Sequence, residues 1–160
     1  MRINSTLQIP VKRLRSPVNR IGGKHFLRHW IAEKIPAHKV FVEVFAGSCV
    51  ISLTKKPSET TIINDIDSSL INFWKILQHP ERRGRLINLL DNMLYSRVAW
   101  QELRSNWKRG ITPDDTVKKA SEWFYLNRST YVLLICNMVD LCQQARGVIQ
   151  RRVLGVQLVF

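Results

Sequence analysis

Val40-Phe41-Val42-Glu43-Val44-Phe45-Ala46-Gly47-Ser48 decides the reading of the chain, together with Thr60-Thr61-Ile62-Ile63-Asn64-Asp65-Ile66-Asp67 that follows it. The first run is rich in β-branched and aromatic residues, which suit a pleated strand, and it stops where Ala46-Gly47-Ser48 supplies turn chemistry. The second run repeats the pattern in shorter form and ends in an acidic turn. Between them Cys49, Val50, Ile51 and Leu53 predict a short helix, closed by Lys55-Lys56-Pro57. Strand, turn, helix, strand is a βαβ unit, the opening of a doubly wound α/β sheet.

Working outward, Phe26, Leu27, Trp30, Ile31 and Ile35 recur at spacings of three and four ahead of Pro36. That spacing predicts an amphipathic helix before the first strand. After the second strand, Ser68 or Asp67 is placed to cap a helix whose buried face is Leu70, Ile71, Phe73, Trp74 and Leu77. From Arg82 to Tyr131 the pattern stays helical, with stripes at Leu86, Ile87, Leu90 and Leu94, at Trp100, Leu103 and Trp107, and at Val117, Ala120, Trp123, Phe124 and Leu126. Thr112-Pro113-Asp114-Asp115 reads as a turn and helix start. The basic, polar residues from Met1 to Asn19 read as a mobile arm.

Charge points toward a partner. Twenty-five Lys and Arg stand against 12 Asp and Glu, leaving +13 on 160 residues. A field of that sign attracts polyanions, and nucleic acid is the commonest of these. Cys49, Cys136 and Cys142 form neither a disulfide framework nor a CxxC pair. The N-terminus lacks the apolar core of a secretory signal, and Val132 to Val139 is far too short to span a bilayer. The expectation is a soluble cytoplasmic protein with no membrane partner.

The candidate site is the pairing of Phe45-Ala46-Gly47-Ser48 after one strand with Asp65 after the next. A glycine at the carboxyl end of the first strand admits a nucleotide-like ligand close to the backbone. An acid about 20 residues on, at the end of the second strand, suits ribose hydroxyls, because a carboxylate accepts both protons. The same residues also admit a plain structural reading, Gly47 as a turn glycine and Asp65 as a helix cap. Gly22-Gly23-Lys24 is not a Walker loop, since Val18 and His25 stand where glycine and Ser or Thr are needed. His25 and His29 share a helix face but lack a third ligand, so no metal is expected. Ser48 and Cys49 lack the glycine flanks of a nucleophile elbow. The clusters Arg82-Arg83-Arg85, Arg104 with Lys108 and Arg109, and Lys118-Lys119 suit phosphate contacts that position rather than specify.

Arg20-Ile21-Gly22-Gly23-Lys24, Val42 through Ser48, Ile63 through Asp67, and Leu126-Asn127-Arg128 after Phe124-Tyr125, in that order, resemble the Dam-type DNA adenine-N6 methyltransferases, phage-like members in particular. The resemblance runs from about Ser16 to Tyr131. It implies a class I methyltransferase (Rossmann-like) sheet, here incomplete, followed by a helical segment. It also implies S-adenosylmethionine as cofactor and double-stranded DNA as substrate. Residues 1–80 are expected to form the cofactor-binding α/β region and 81–131 the start of the target-recognition region. Lys24 matches the family lysine beside the methionine end of the cofactor, Phe45 and Gly47 match the first cofactor loop, and Asp65 matches the ribose-binding acid. Arg20 stands where an aromatic cofactor contact is frequent, Val44 where proline is frequent, and Cys49 where a second small residue is frequent.

The family performs transfer at an Asp-Pro-Pro-Tyr-like motif. Pro10, Pro17, Pro36, Pro57, Pro80 and Pro113 include no adjacent pair, so the motif is not among these residues and no catalytic residue is assigned. Beyond Tyr131 the sequence departs from the family, and residues 132–160 are expected to be an atypical tail left by a frameshift or early stop. A chain of this kind, inactive alone, contrasts with two alternatives, a non-catalytic nucleic-acid-binding module and a decayed remnant.

Overall fold

The computed structural model describes residues 16–20, 22–130 and 158–159. The expected atypical tail thus lies outside the described residues, apart from Leu158 and Val159. The element order is α1 (Arg28–Lys34), β1 (Val40–Glu43), α2 (Val50–Thr54), β2 (Thr60–Ile63), α3 (Ser68–Gln78), α4 (Pro80–Asp91), α5 (Arg97–Lys108), α6 (Thr116–Ser129) and β3 (Leu158–Val159). β1 and β2 pair in parallel with Val40 opposite Thr60 and Glu43 opposite Ile63. β3 pairs in parallel with β2 on its other side. Because α2 joins β1 to β2, the two strands form the βαβ unit that the sequence predicts, and both point their carboxyl ends at one rim. Helices with a short parallel sheet are compatible with a partial methyltransferase fold.

α3 starts where Asp67 accepts hydrogen bonds from the Ser69 and Leu70 backbone N–H groups. Of the two residues placed to cap it, Asp67 does so. Its inner face carries Leu70, Phe73, Trp74 and Leu77, as the spacing predicts, but Ile76 in place of Ile71, which is only half-buried. Phe73 is the hub. Its ring lies parallel to that of Phe124 with centroids 5.1 Å apart, and it also meets Trp123 and Trp74 at 5.4 and 5.8 Å. Those contacts join α3 to α6, and Leu86 and Leu90 of α4 close the same core. α6 begins at Asp115, whose carboxylate accepts from Val117 N–H.

Two sequence expectations need correction. α1 is shorter than its apolar stripe and buries no residue, while Phe26, Leu27 and Trp30 are exposed. Periodicity identified the apolar face, of which Ile31 and Ile35 are half-buried, while the described residues leave Phe26, Leu27 and Trp30 uncovered. The second correction concerns the arm. Pro17 and Val18 are buried, and Val18 belongs to the main core. Asn19 and Asn127 exchange two hydrogen bonds, each 3.1 Å, through backbone and side-chain groups. Arg128 donates to the Asn19 side chain at 2.6 Å and to the Pro17 carbonyl at 3.3 Å. Residues 16–19 are therefore tied to the end of α6 rather than forming an arm. Residues 1–15, the rest of that expectation, lie outside the described residues.

Candidate functional site

The rim at the carboxyl ends of β1 and β2 gathers the residues singled out from the sequence. The Gly47 backbone N–H donates to the Asp65 carboxylate at 2.8 Å. The second carboxylate oxygen accepts from Asp67 N–H at 3.1 Å. Each oxygen keeps a further lone pair, so the half-buried carboxylate can still accept two more protons. Since Asp67 takes the capping role, Asp65 is held at the rim without being spent on the helix.

Gly47 has φ +48, in the left-handed region where a side chain is strained. A Cβ built there meets only Arg20 Cγ, in ordinary contact at 3.9 Å. Its carbonyl accepts from the Trp74 indole N–H at 3.4 Å, which ties the turn to the α3 core. Cys49 also adopts positive φ, 51, and is buried. Burial, aided by the Glu43 and Asp65 charges, pushes its thiol well up, so Cys49 is a packed apolar group and not a nucleophile.

Lys24 donates to the Phe45 carbonyl at 3.3 Å, which places its ammonium at the same rim. Arg20 forms an ion pair with Asp67 and lies over Gly47. Phe45 is 79% exposed and Ile66 fully exposed. Large apolar side chains held in solvent beside a carboxylate have no use in packing the described residues. Exposed apolar side chains next to a carboxylate offer a ligand both an apolar face and an acceptor. The structure thus brings Arg20, Lys24, Phe45, Gly47 and Asp65 together.

A family model for the D12 class N6 adenine-specific DNA methyltransferases matches residues 21–138. The chain belongs to that family. No curated protein matches it significantly. The D12 class assignment covers the βαβ unit and the helices that follow, so adenine-N6 methylation of DNA is the chemistry of the family to which this rim belongs.

Sequence reasoning missed two supports of the rim, and of a third it gave the residues without their role. Ile66 was read only as part of the acidic turn, although an apolar residue between two aspartates outside any strand or helix is itself a signal. Glu43 is buried at the end of β1 and accepts from Ser52 N–H at 3.1 Å and from the Ser52 hydroxyl. Its other oxygen is buried without a partner among the described residues. Desolvation raises the Glu43 carboxyl above its usual range, against the Ser52 hydrogen bonds and the Lys24 and Lys55 charges. The signal was a lone acid inside an apolar strand. Asn127 and Arg128 are the third support, since through Asn19 they fix the chain that leads into Arg20. Among the described residues no group of three or more His, Cys, Asp or Glu gathers as metal ligands. Nor is any helix among them long and apolar enough to cross a membrane.

Proposed function

We propose that this chain binds S-adenosylmethionine at the rim of β1 and β2, as the cofactor-binding part of an enzyme that methylates adenine N6 in double-stranded DNA in the cytoplasm. The observation that carries the reading is the 2.8 Å hydrogen bond from Gly47 N–H to the Asp65 carboxylate. It joins the ends of two parallel strands with Phe45 and Ile66 exposed beside it. In open α/β sheets, ligands bind outside the carboxyl ends of the strands. The residues fit the cofactor: Asp65 has acceptor capacity for two ribose hydroxyls, and Gly47 leaves the backbone approachable. Phe45 and Ile66 offer apolar faces to the flat base, and the Lys24 ammonium complements the carboxylate of the methionine part. Arg20 acts through its ion pair, holding Asp67 and the turn in place.

Bound there, S-adenosylmethionine supplies an activated methyl group on a sulfonium centre. The chain's own contribution is to position that ligand and to bring it against DNA, residues 81–131 beginning the target-recognition region. No Asp-Pro-Pro-Tyr-like stretch occurs among the 160 residues, so this chain has no assigned group to hold the adenine amino group. Positioning the cofactor alone leaves the transfer without its acceptor site, and the chain by itself turns over negligibly.

Calorimetric titration tests the reading. The chain is expected to bind S-adenosylmethionine, and Asp65→Ala to weaken binding at least tenfold, about 1.4 kcal/mol. Equal affinity for the variant, or no binding by a folded wild-type chain, overturns the proposal.

A further inference from the structure

α5 is a 12-residue helix that buries none of its residues. It is held to α6 by Trp107, whose indole N–H donates to Glu122 at 3.0 Å, and by the Ser96 carbonyl, which accepts from the Tyr125 hydroxyl at 3.2 Å. On a helix of 3.6 residues per turn, Arg97, Gln101, Arg104 and Lys108 fall within a sector of about 60°. All four are exposed, and the only acid on α5, Glu102, projects about 140° away from Arg97.

Elsewhere among the described residues, several basic side chains are already engaged, although Lys34, Lys39 and Lys56, which lie on no common helix face, are not. Arg20 pairs with Asp67, Arg85 with Asp115, Lys55 with Ser58, and Lys24 with the Phe45 carbonyl. Among the described residues Arg97 and Lys108 have no such partner. The Arg104 guanidinium lies over the Trp100 ring at 4.9 Å, which holds it in place without neutralising it. A row of three cations with no carboxylate opposite is destabilised by its own repulsion and stabilised by a polyanion. At the head of the row, Tyr95, Ser96, Arg97, Trp100, Gln101 and Ser129 line a cleft of about 280 Å³. There the buried Trp100 indole N–H has no partner among the described residues.

We infer that the Arg97–Gln101–Arg104–Lys108 face of α5 is the surface that docks on the sugar–phosphate backbone of duplex DNA. This rests on the reading of the chain as a DNA methyltransferase and adds the side of the molecule that DNA occupies. The row is about 16 Å long, and one DNA strand carries a charge every 3.4 Å of axis or so, so it faces roughly five phosphates. Gln101 donates its amide to the backbone between the cations. The contact positions the duplex and reads no base.

The test is the salt dependence of binding to a short duplex of mixed sequence, followed by fluorescence anisotropy with the full chain. Each phosphate contact contributes about 0.9 to the slope of log K against log salt. The variant carrying Arg97→Ala, Arg104→Ala and Lys108→Ala is expected to flatten that slope by about 2.7. A control with Lys34→Ala, Lys39→Ala and Lys56→Ala removes the same charge elsewhere and is expected to leave the slope near wild type. Circular dichroism and S-adenosylmethionine titration verify that both variants stay folded with the rim intact. Equal slopes for the two variants show a net-charge effect and overturn the assignment, while the cofactor titration still stands by itself. No duplex binding by the wild-type chain at low salt overturns it as well.

Discussion

Replacing Gly47 with alanine separates the two roles the rim gives this residue. Its φ of +48 lies in the left-handed region, where a Cβ costs about 1–2 kcal/mol. For a chain of this size that lowers Tm by roughly 3–8 °C. The added methyl meets nothing inside the protein closer than Arg20 Cγ at 3.9 Å, so no steric clash adds to the strain. It is added at the rim, where the ligand's approach to the backbone is expected. S-adenosylmethionine affinity should therefore fall at least tenfold, about 1.4 kcal/mol, beyond the loss of stability. Gly110 is the internal control, because it has φ +77 and no heavy atom within 4 Å of a built Cβ, and it lies in the turn after α5. Gly110→Ala should lower Tm comparably and leave cofactor affinity unchanged. Thermal denaturation and calorimetry on the two variants measure both quantities. If Gly47→Ala loses stability but binds as tightly as wild type, Gly47 is a turn glycine only.

Two further substitutions probe what holds the rim. Phe73→Ala removes the ring shared by α3 and α6 and should cost about 3–5 kcal/mol in urea unfolding, and a loss under about 1 kcal/mol would contradict its place as the hub. Burial raises the Glu43 carboxyl, so the fold favours the protonated form. Its contribution is full below the unfolded carboxyl value and is lost as pH rises through the folded value. Glu43→Gln should flatten the fall of stability as pH rises above the ordinary carboxylate range, and parallel curves for the two proteins would refute the assignment.

Much of the rim was legible because its signals are local. A β-branched run that stops at Ala46-Gly47-Ser48, and a second that stops at Asp65, specify where two parallel strands end. The α3 face was legible because Leu70, Phe73, Trp74 and Leu77 keep the helical period. The stripe from Phe26 to Ile35 misled, since a period marks an apolar face and not what covers it. Asp65 and Asp67 are both candidate caps by sequence, and only geometry shows that Asp67 takes the α3 amides. The tie between Asn19 and Asn127 spans 108 residues and has no periodic signature, so residues 16–19, composed like an arm, are anchored without a sign of it in the sequence. Glu43 breaks an apolar strand, and its burial depends on Ser52 nine residues on, a partner that composition does not reveal.

Amide resonances of the isotopically labelled chain, followed while S-adenosylmethionine is added, examine the rim most directly. The account predicts that Gly47, Asp65, Ile66 and Asp67 shift together and saturably, with α5 undisturbed. Shifts confined to α4, α5 and α6, or none at saturating ligand, would contradict it.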